Sequence, residues 1–449
     1  MNGRTAVNTV VTLAAAALLP LASRGAIAAK NPTGDCRIGI YHLRDGSDVD
    51  IAPGNDSHLR WRREDGTSGE LTEAMDGTWT STLGWTSRPD GKRVVFSDCG
   101  KRAIDFAGMR GERIPLTVTN TRFASAGVYL AGRLVMPKGR AKVPVVVLVH
   151  GSERLSALDF YALQRLFSSE GIGVFVYDKR GTGVSGGDYT QDFTLLAKDA
   201  VAAMREARRL AGARAGSVGY QGTSQGGWVA PLAATMAPVD FLVVAYGLAV
   251  SPLDEDRAAV ALDMTRRGYG ADIVAKAMEV ADASAAVLVS NFRDGYDRVD
   301  AVRAKYGSEP WFKYVHGNFT FAVLQMTHGE LREKGPKLLP GIEPRYDPMP
   351  VLRTLEIPQL WILGEDDIDA PSAKTAQRLA ALAAEGRPIV TAVFPHAEHG
   401  IFEYETLPDG TRVSTRNADG YFSMMRDFIR SGRLLGHYGS SVIDEPGRK

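Results

Sequence analysis

Six near-continuous apolar runs constrain this chain more than any other feature: VPVVVLVHG (143–151), IGVFVYD (172–178), GSVGYQG (216–222), VDFLVVAYG (239–247), IPQLWILG (357–364) and PIVTAVFP (388–395). A strand with one wet face alternates apolar and polar residues, whereas a run that is apolar throughout suits a strand covered on both faces of a parallel sheet. Between the runs lie stretches of helical period. DFYALQRLFSSEG fits a helix, and LLAKDAVAAMREARRLAG sets Leu196, Ala200, Met204, Ala207 and Ala211 along one face. Strand and helix alternating in this way predict an α/β fold with a doubly wound, mostly parallel sheet.

The alternation breaks between Ser251 and Pro350, where DEDRAAVALDMTRRG, ADIVAKAMEVADASAAVLVSNF and EPWFKYVHGNFTF are polar, helical or aromatic-rich. A helical cap inserted over 251–350 is expected, dividing the core into 114–250 and 351–449. Residues 29–113 have a different texture. Short runs (CRIGIYHL, SHLRWRRE, GTWTSTLG, KRVVFSDC) separated by turn clusters (PGND, EDGTSG, RPDGK) predict a small antiparallel β domain, with no internal repeat evident.

Residues 1–28 have Arg4, an apolar stretch from Ala6 to about Ala22, and Ala26-Ile27-Ala28 as a cleavage site, the pattern of a secretory signal peptide. An uncleaved anchor is the alternative, although the stretch is near the short end for a spanning helix. No later segment is long enough to span, so no membrane association is expected after cleavage, and the expected location is the periplasm or outside the cell. Export makes Cys36 and Cys99, the only two cysteines, a candidate disulfide joining the first strand of the β domain to its last. Two buried thiols are the alternative. The formal net charge is +1, or −1 without Arg4 and Arg24, and no long basic run occurs, so no nucleic-acid partner is expected.

Two segments have the Gly-x-Ser-x-Gly spacing of a nucleophile elbow: GTSQG, centred on Ser224, and GVSGG, centred on Ser185. An elbow leaves a strand and turns at once into a helix, with small residues beside the serine because the turn brings backbones together. Ser224 has the strand SVGYQG before it and the helix-forming QGGWVAPLAATMA after it. Ser185 follows the loop KRGTG and precedes GGDYT, which starts a helix poorly.

A serine hydroxyl needs a base, and the base an orienting carboxylate. PHAEHG, after the last predicted strand, offers His396 and His399; His399, in the loop and followed by Gly400, is favoured over His396, which is still attached to the strand end. His316 and His328 fall in the cap as substrate contacts or surface residues. ILGEDDIDAP offers Glu365, Asp366, Asp367 and Asp369, of which Asp367 is best placed before Pro371. The developing oxyanion needs two fixed N–H donors. They are assigned to Gln225, which follows the nucleophile, and to Ser152, in the loop after VVVLVHG. His150 is expected to shape that loop.

With these residues in order, the chain resembles the α/β-hydrolase superfamily, in the branch of bacterial esterases and dienelactone-hydrolase-like or prolyl-oligopeptidase-like serine hydrolases. The resemblance spans residues 114–449 and rests on GVYLAGRLVMP, PVVVLVHGS, VYDKRGTGVSGG, GYQGTSQGG, ILGEDD and PHAEHG. It implies that Ser185 is structural, since the YDKRG-type loop of such proteins commonly ends in Gly-x-Ser. Glu153 departs from the pattern, standing where relatives often carry glycine. The β region carries no such resemblance.

The expected activity is that of a secreted serine hydrolase cleaving a small-molecule carboxylic ester through an acyl-enzyme, with no metal or organic cofactor. Trp311, Phe312 and Tyr314, with Phe319 and Phe321, are candidates for an acyl pocket; packing of the cap is the other reading of these aromatics. The competing functions are a prolyl-oligopeptidase-like peptidase and a non-catalytic glycan-binding protein with a hydrolase-like fold.

Overall fold

The N-terminal turn clusters fold as tight hairpins. In the computed structural model, which describes residues 35–54 and 57–445, Asp45, Asp65 and Asp76 each accept hydrogen bonds from the N–H and hydroxyl of the residue two places on, Ser47, Thr67 and Thr78. The glycine between takes a left-handed φ of +85°, +90° and +78° in turn. This Asp-Gly-Ser/Thr turn is a short internal repeat that the composition of the region concealed. The leader at 1–28 lies outside the described residues.

The hairpins join eight strands, β1 (Gly39–Leu43), β2 (Asp48–Pro53), β3 (Leu59–Arg63), β4 (Ser68–Glu73), β5 (Trp79–Thr82), β6 (Pro89–Phe96), β7 (Ala103–Phe106) and β8 (Met109–Arg113), into a closed antiparallel barrel. Closure removes the exposed edges that a small sheet would present. The interior is filled by Tyr41, Trp61, Leu71, Trp79 and Phe106, with the Trp61 indole N–H donating to Ser81 Oγ at 2.8 Å. Cys36 and Cys99 form a disulfide, but it does not tie the first strand to the last. Cys99 lies between β6 and β7, and it is β8 that pairs with β1.

The body is a nine-stranded sheet built from β9 (Leu116–Ser125), β10 (Val128–Pro137), β11 (Val143–Val149), β12 (Gly173–Tyr177), β13 (Ala215–Thr223), β14 (Leu242–Ala245), β15 (Gln359–Gly364), β16 (Ile389–Phe394) and the late strand β20 (Val442–Asp444). Its order is β20-β16-β15-β14-β13-β11-β12-β10-β9. The six apolar runs are the parallel strands of this sheet, flanked by antiparallel neighbours. Helices α3 (Phe193–Ala211), α4 (Gly226–Met236), α10 (Met349–Thr354) and α11 (Ala373–Ala384) cover one face, where Leu196, Ala200, Met204, Ala207 and Ala211 are buried. The short α1 (Ala157–Phe160) and α2 (Leu163–Ser169), with α12 (Tyr421–Ser431), cover the other.

Between β14 and β15 stand α5 (Pro252–Arg266), α6 (Ala271–Val289), α7 (Tyr296–Tyr306), α8 (Thr320–Gln325) and α9 (His328–Leu338), which have two apolar clusters of their own. A three-stranded sheet, β17 (Ala397–Glu398), β18 (Phe402–Thr406) and β19 (Arg412–Asn417), follows β16. The barrel braces it: the Trp85 N–H donates to Ser414 O at 2.9 Å, and the Asn417 N–H to Gly66 O at 3.0 Å. A second tie is the ion pair of Arg165 on α2 with fully buried Asp50 on β2, at 2.5 and 2.9 Å.

Candidate active site

The central strand β13 ends in a forced turn. Ser224 takes a φ of +51°, in the left-handed region that an L-residue enters at a cost of about 1–3 kcal/mol. The flanking glycines explain how the chain tolerates it. A Cβ on Gly222 would lie 2.4 Å from Gly226 O, and one on Gly226 would lie 2.2 Å from Val149 O. Hydrogen bonds from the Ser224 N–H to Ala245 O at 3.1 Å and from the Gly227 N–H to Ser224 O at 2.7 Å fix the turn, and α4 starts directly after it.

His399 and Asp367 converge on this serine from two other strand ends. His399 Nε2 is 3.1 Å from Ser224 Oγ, and Nδ1 is 2.9 Å from Asp367 Oδ2. Asp367 follows β15, and its other oxygen accepts from the N–H groups of Asp369 at 3.0 Å and Ala370 at 2.7 Å. The loop thereby fixes the carboxylate's orientation. His399 follows β17, and Tyr246 packs edge-on against its ring at 4.9 Å.

The neighbouring acids and histidines face other partners. Asp366 is engaged by Arg266 of α5 and accepts from the Tyr404 hydroxyl at 2.6 Å. The His396 side chain is 89% exposed. His328 pairs with Asp300 at 3.0 Å, between α9 and α7 of the cap. Ser185 Oγ donates to Asp178 O at 2.6 Å and accepts from the Ala131 N–H at 2.8 Å, so that hydroxyl closes a loop.

Charge gathers around His399. Burial disfavours its imidazolium, but Asp367, with Asp369 and then Glu255, outweighs burial and raises the ring to about 9. Burial also raises the Glu255 carboxyl well above its ordinary range and lifts that of Asp369. Glu255 was not singled out from the sequence: it sits in DEDR at the start of α5, which reads as a solvated helix end.

The segment after β11 lies against the elbow. A Cβ on Gly151 would stand 3.2 Å from Ser224 Cβ and 2.6 Å from Glu153 Oε2. The Ser152 and Gln225 N–H groups have no protein acceptor among the described residues; Gln225 follows the serine directly, and Ser152 follows Gly151, which lies against it. His150 is buried, and its Nε2 accepts from the Lys179 N–H at 3.2 Å. Its Nδ1 stands 3.2 Å from Glu153 Oε1. Tyr161 donates its hydroxyl to the same oxygen. Burial works against the Glu153 anion, yet His150, Lys179 and Tyr161 hold its pKa down to about 2.

The cap aromatics are placed differently from the acyl-pocket expectation. Trp311 is 3% exposed within the cap's own core beside Val260, Met264 and Ala281, and Phe312 packs on the same cluster. Tyr314 is 38% exposed, with the Arg267 guanidinium 5.0 Å from its ring. Their spacing suits a short 3-10 turn that inserts Trp311 between α5 and α6, so cap packing accounts for Trp311 and Phe312. A hollow of about 170 Å³ lies between α5 and the acid loop, lined in part by Asp263, His316, Asn318 and Asp369. A larger one, about 300 Å³, is formed by residues of the C-terminal tail and touches none of the site. Among the described residues no group of three or more His, Cys, Asp or Glu side chains is placed to hold a metal ion.

A serine elbow on the central strand of a doubly wound sheet is the arrangement that marks the α/β-hydrolase fold, and the described residues have that architecture, with the elbow at Ser224. Residues 126–316 match the family model described as X-Pro dipeptidyl-peptidase (S15 family). No curated protein matches the sequence. Among solved structures the chain is similar to the Pyrococcus horikoshii acylaminoacyl peptidase, with 15% identity and a TM-score of 0.43 over 87% of this chain and 57% of that one. The chain thus spans little more than half of that peptidase's length. It is also similar to the brefeldin A esterase, a bacterial homologue of human hormone-sensitive lipase, with 17% identity and a TM-score of 0.39 over 64% of this chain and 70% of that one. Est1E from Butyrivibrio proteoclasticus, with ferulic acid bound, is similar at 14% identity and a TM-score of 0.38 over 69% and 96% of the two chains.

Proposed function

We propose that the protein hydrolyses carboxylic esters of small molecules, with Ser224 as nucleophile, His399 as base and then acid, and Asp367 as its orienting group. The reading is carried by the unbroken relay from Asp367 Oδ2 through His399 to Ser224 Oγ on a strained elbow. Ser224 Oγ attacks the carbonyl carbon while His399 Nε2 takes its proton. The tetrahedral oxyanion sits between the Ser152 and Gln225 N–H groups, collapses, and expels the alcohol, which leaves with the proton from His399. Water, deprotonated by His399, then attacks the acyl-enzyme, and Ser224 leaves as a hydroxyl.

The family match over 126–316 favours a second reading within the same chemistry, a peptidase acting on short peptides. A panel of p-nitrophenyl esters and aminoacyl amides separates the two. Ester turnover alone supports the first reading, and amide turnover at comparable rates supports the second. Fluorophosphonate labelling followed by peptide mapping tests the shared premise. An adduct on Ser224 is expected, and an active protein without one overturns both readings in favour of a different site. Action in an oxidising compartment, the periplasm or outside the cell, belongs to the proposal and is supported by the Cys36–Cys99 disulfide.

A further inference from the structure

Glu153 places a half-buried carboxylate against the loop that should stabilise negative charge, and the contacts around it show how that loop is held. Lys179, 2% exposed beneath the loop, donates from Nζ to Gly151 O at 2.5 Å. The next carbonyl, Ser152 O, accepts from the Tyr189 hydroxyl at 2.6 Å. Peptide bonds here are trans, and across a trans peptide C=O and N–H point in opposite directions. A Gly151 carbonyl turned down onto Lys179 therefore turns the Ser152 N–H up, on the side where Gly151 borders Ser224.

Lys179 is itself held firmly. On one side Asp178 accepts from the Ser156 hydroxyl at 2.9 Å and the Val184 N–H at 3.0 Å; on the other Arg180 is paired with buried Asp199 at 2.6 and 2.7 Å. The Tyr189 ring receives Arg154 at 3.8 Å and Lys179 at 4.9 Å. The chain of contacts continues to the other donor: Gln191 Nε2 donates to Tyr189 Oη at 3.2 Å, and Gln225 Nε2 donates to Gln191 Oε1 at 3.3 Å. Ser152 and Gln225 are thus joined through two side chains that touch neither His399 nor Asp367.

We infer that Lys179 and Tyr189 are positioning residues of the oxyanion site: they clamp the Gly151 and Ser152 carbonyls so that the Ser152 N–H faces the tetrahedral intermediate, and the Lys179 charge offsets that of Glu153. The inference rests on the proposed role of Ser224. Burial pulls the Lys179 ammonium down to about 8 and the Glu153 carboxylate resists that fall; Nζ–H donates to Gly151 O in either protonation state, and a glycine at 153 would leave Lys179 without its carboxylate partner.

The test uses Lys179→Met and Tyr189→Phe in the full chain, with p-nitrophenyl butyrate as substrate and butylboronic acid as a tetrahedral analogue that bonds through Ser224 Oγ. For Lys179→Met, kcat is expected to fall on the order of tenfold to a hundredfold, short of or equal to the loss from deleting a donor, with KM within about twofold. The boronate should weaken by a similar factor. A merely structural lysine would lower the melting temperature or raise KM while leaving the ratio of boronate affinity to KM unchanged, and that result overturns the inference. If Lys179→Met does not fold, Tyr189→Phe, lacking one hydroxyl, carries the same expectation at a severalfold loss; unchanged kcat and boronate affinity there overturn it. A parent protein without esterase activity takes down the Ser224 reading and the clamp together, whereas an active parent with an unaffected variant takes down the clamp alone.

Discussion

Replacing Asp367 by asparagine separates the acid's charge from its shape. Oδ1 is bonded by the Asp369 and Ala370 N–H groups, so asparagine keeps its carbonyl oxygen there and turns its NH2 toward His399 Nδ1. A donor facing Nδ1 makes that nitrogen an acceptor and puts the ring proton on Nε2, against Ser224 Oγ. The ring then cannot take the serine's proton; in a serine protease the equivalent change costs on the order of 10⁴ in kcat, about 5 kcal/mol. The charge has its own effect. Burial opposes the imidazolium, and Asp367 leads the groups that raise it from 6.5 to about 9, a rise worth about 3 kcal/mol. Without that carboxylate the ring loses its proton at lower pH. With His399 in the proposed role of base, the neutral ring is the active form, and kcat/KM of the parent should climb with pH and level off above about 9. The residual activity of the variant should level off at least one unit lower, by about 1 kcal/mol or more of lost interaction. Initial rates on p-nitrophenyl butyrate across this range, corrected for spontaneous hydrolysis, measure both effects. Asp366→Asn is the control, because Asp366 faces Arg266 and Tyr404, and it should retain the parent's pH limb. An Asp367→Asn enzyme with kcat within about tenfold of the parent, or with an unmoved limb, refutes the assignment.

Ser185→Ala should keep kcat/KM and fluorophosphonate labelling while lowering stability by about 1–3 kcal/mol through the loss of two loop hydrogen bonds; a lost label would instead make Ser185 the nucleophile. Opening the Cys36–Cys99 bridge, whose ends are 63 residues apart, should cost the barrel about 4 kcal/mol by loop entropy. Denaturant unfolding with and without reductant measures it, and an unshifted transition would mean that the bridge contributes nothing. Trp311→Ala should destabilise the cap by about 3–5 kcal/mol without altering the relative kcat/KM across acyl chain lengths. A changed chain-length preference at unchanged stability would return Trp311 to the acyl pocket.

Much of the fold was legible because each parallel strand is buried on both faces and so betrays itself by an unbroken apolar run. The barrel was legible only as β structure. Its closure depends on β1 meeting β8 across some 70 residues, and that pairing leaves no trace in the composition of either strand. The same reason misplaced the disulfide: cysteines near the two ends of a region suggest its first and last strands, but the β7–β8 hairpin comes after Cys99. The cap's aromatic cluster was ambiguous because a pocket wall and a helix-bundle core call for the same residues. Which way Trp311 faces is decided by where α6 packs.

The candidate site divides along the same line. Ser224, Asp367 and His399 each stand just past a strand, where local chemistry (small residues at the turn, acids in a loop, a histidine before glycine) is readable within a few positions. The groups that condition them come from elsewhere in the chain: Glu255 from the first turn of the cap, Tyr161 from the segment between α1 and α2, and Lys179 from a loop 28 residues beyond the carbonyl it holds. Each looks ordinary in its own segment. Glu153 is the instructive case, since in sequence it is a charge where an oxyanion loop would be better without one. In space its charge is met by His150, Tyr161 and Lys179, and the lysine it retains is the one that turns the Gly151 carbonyl away from the serine. A departure from a motif at one position is compatible with the motif's chemistry when the opposing charge is buried beside it, and only the contacts between distant loops reveal that compensation.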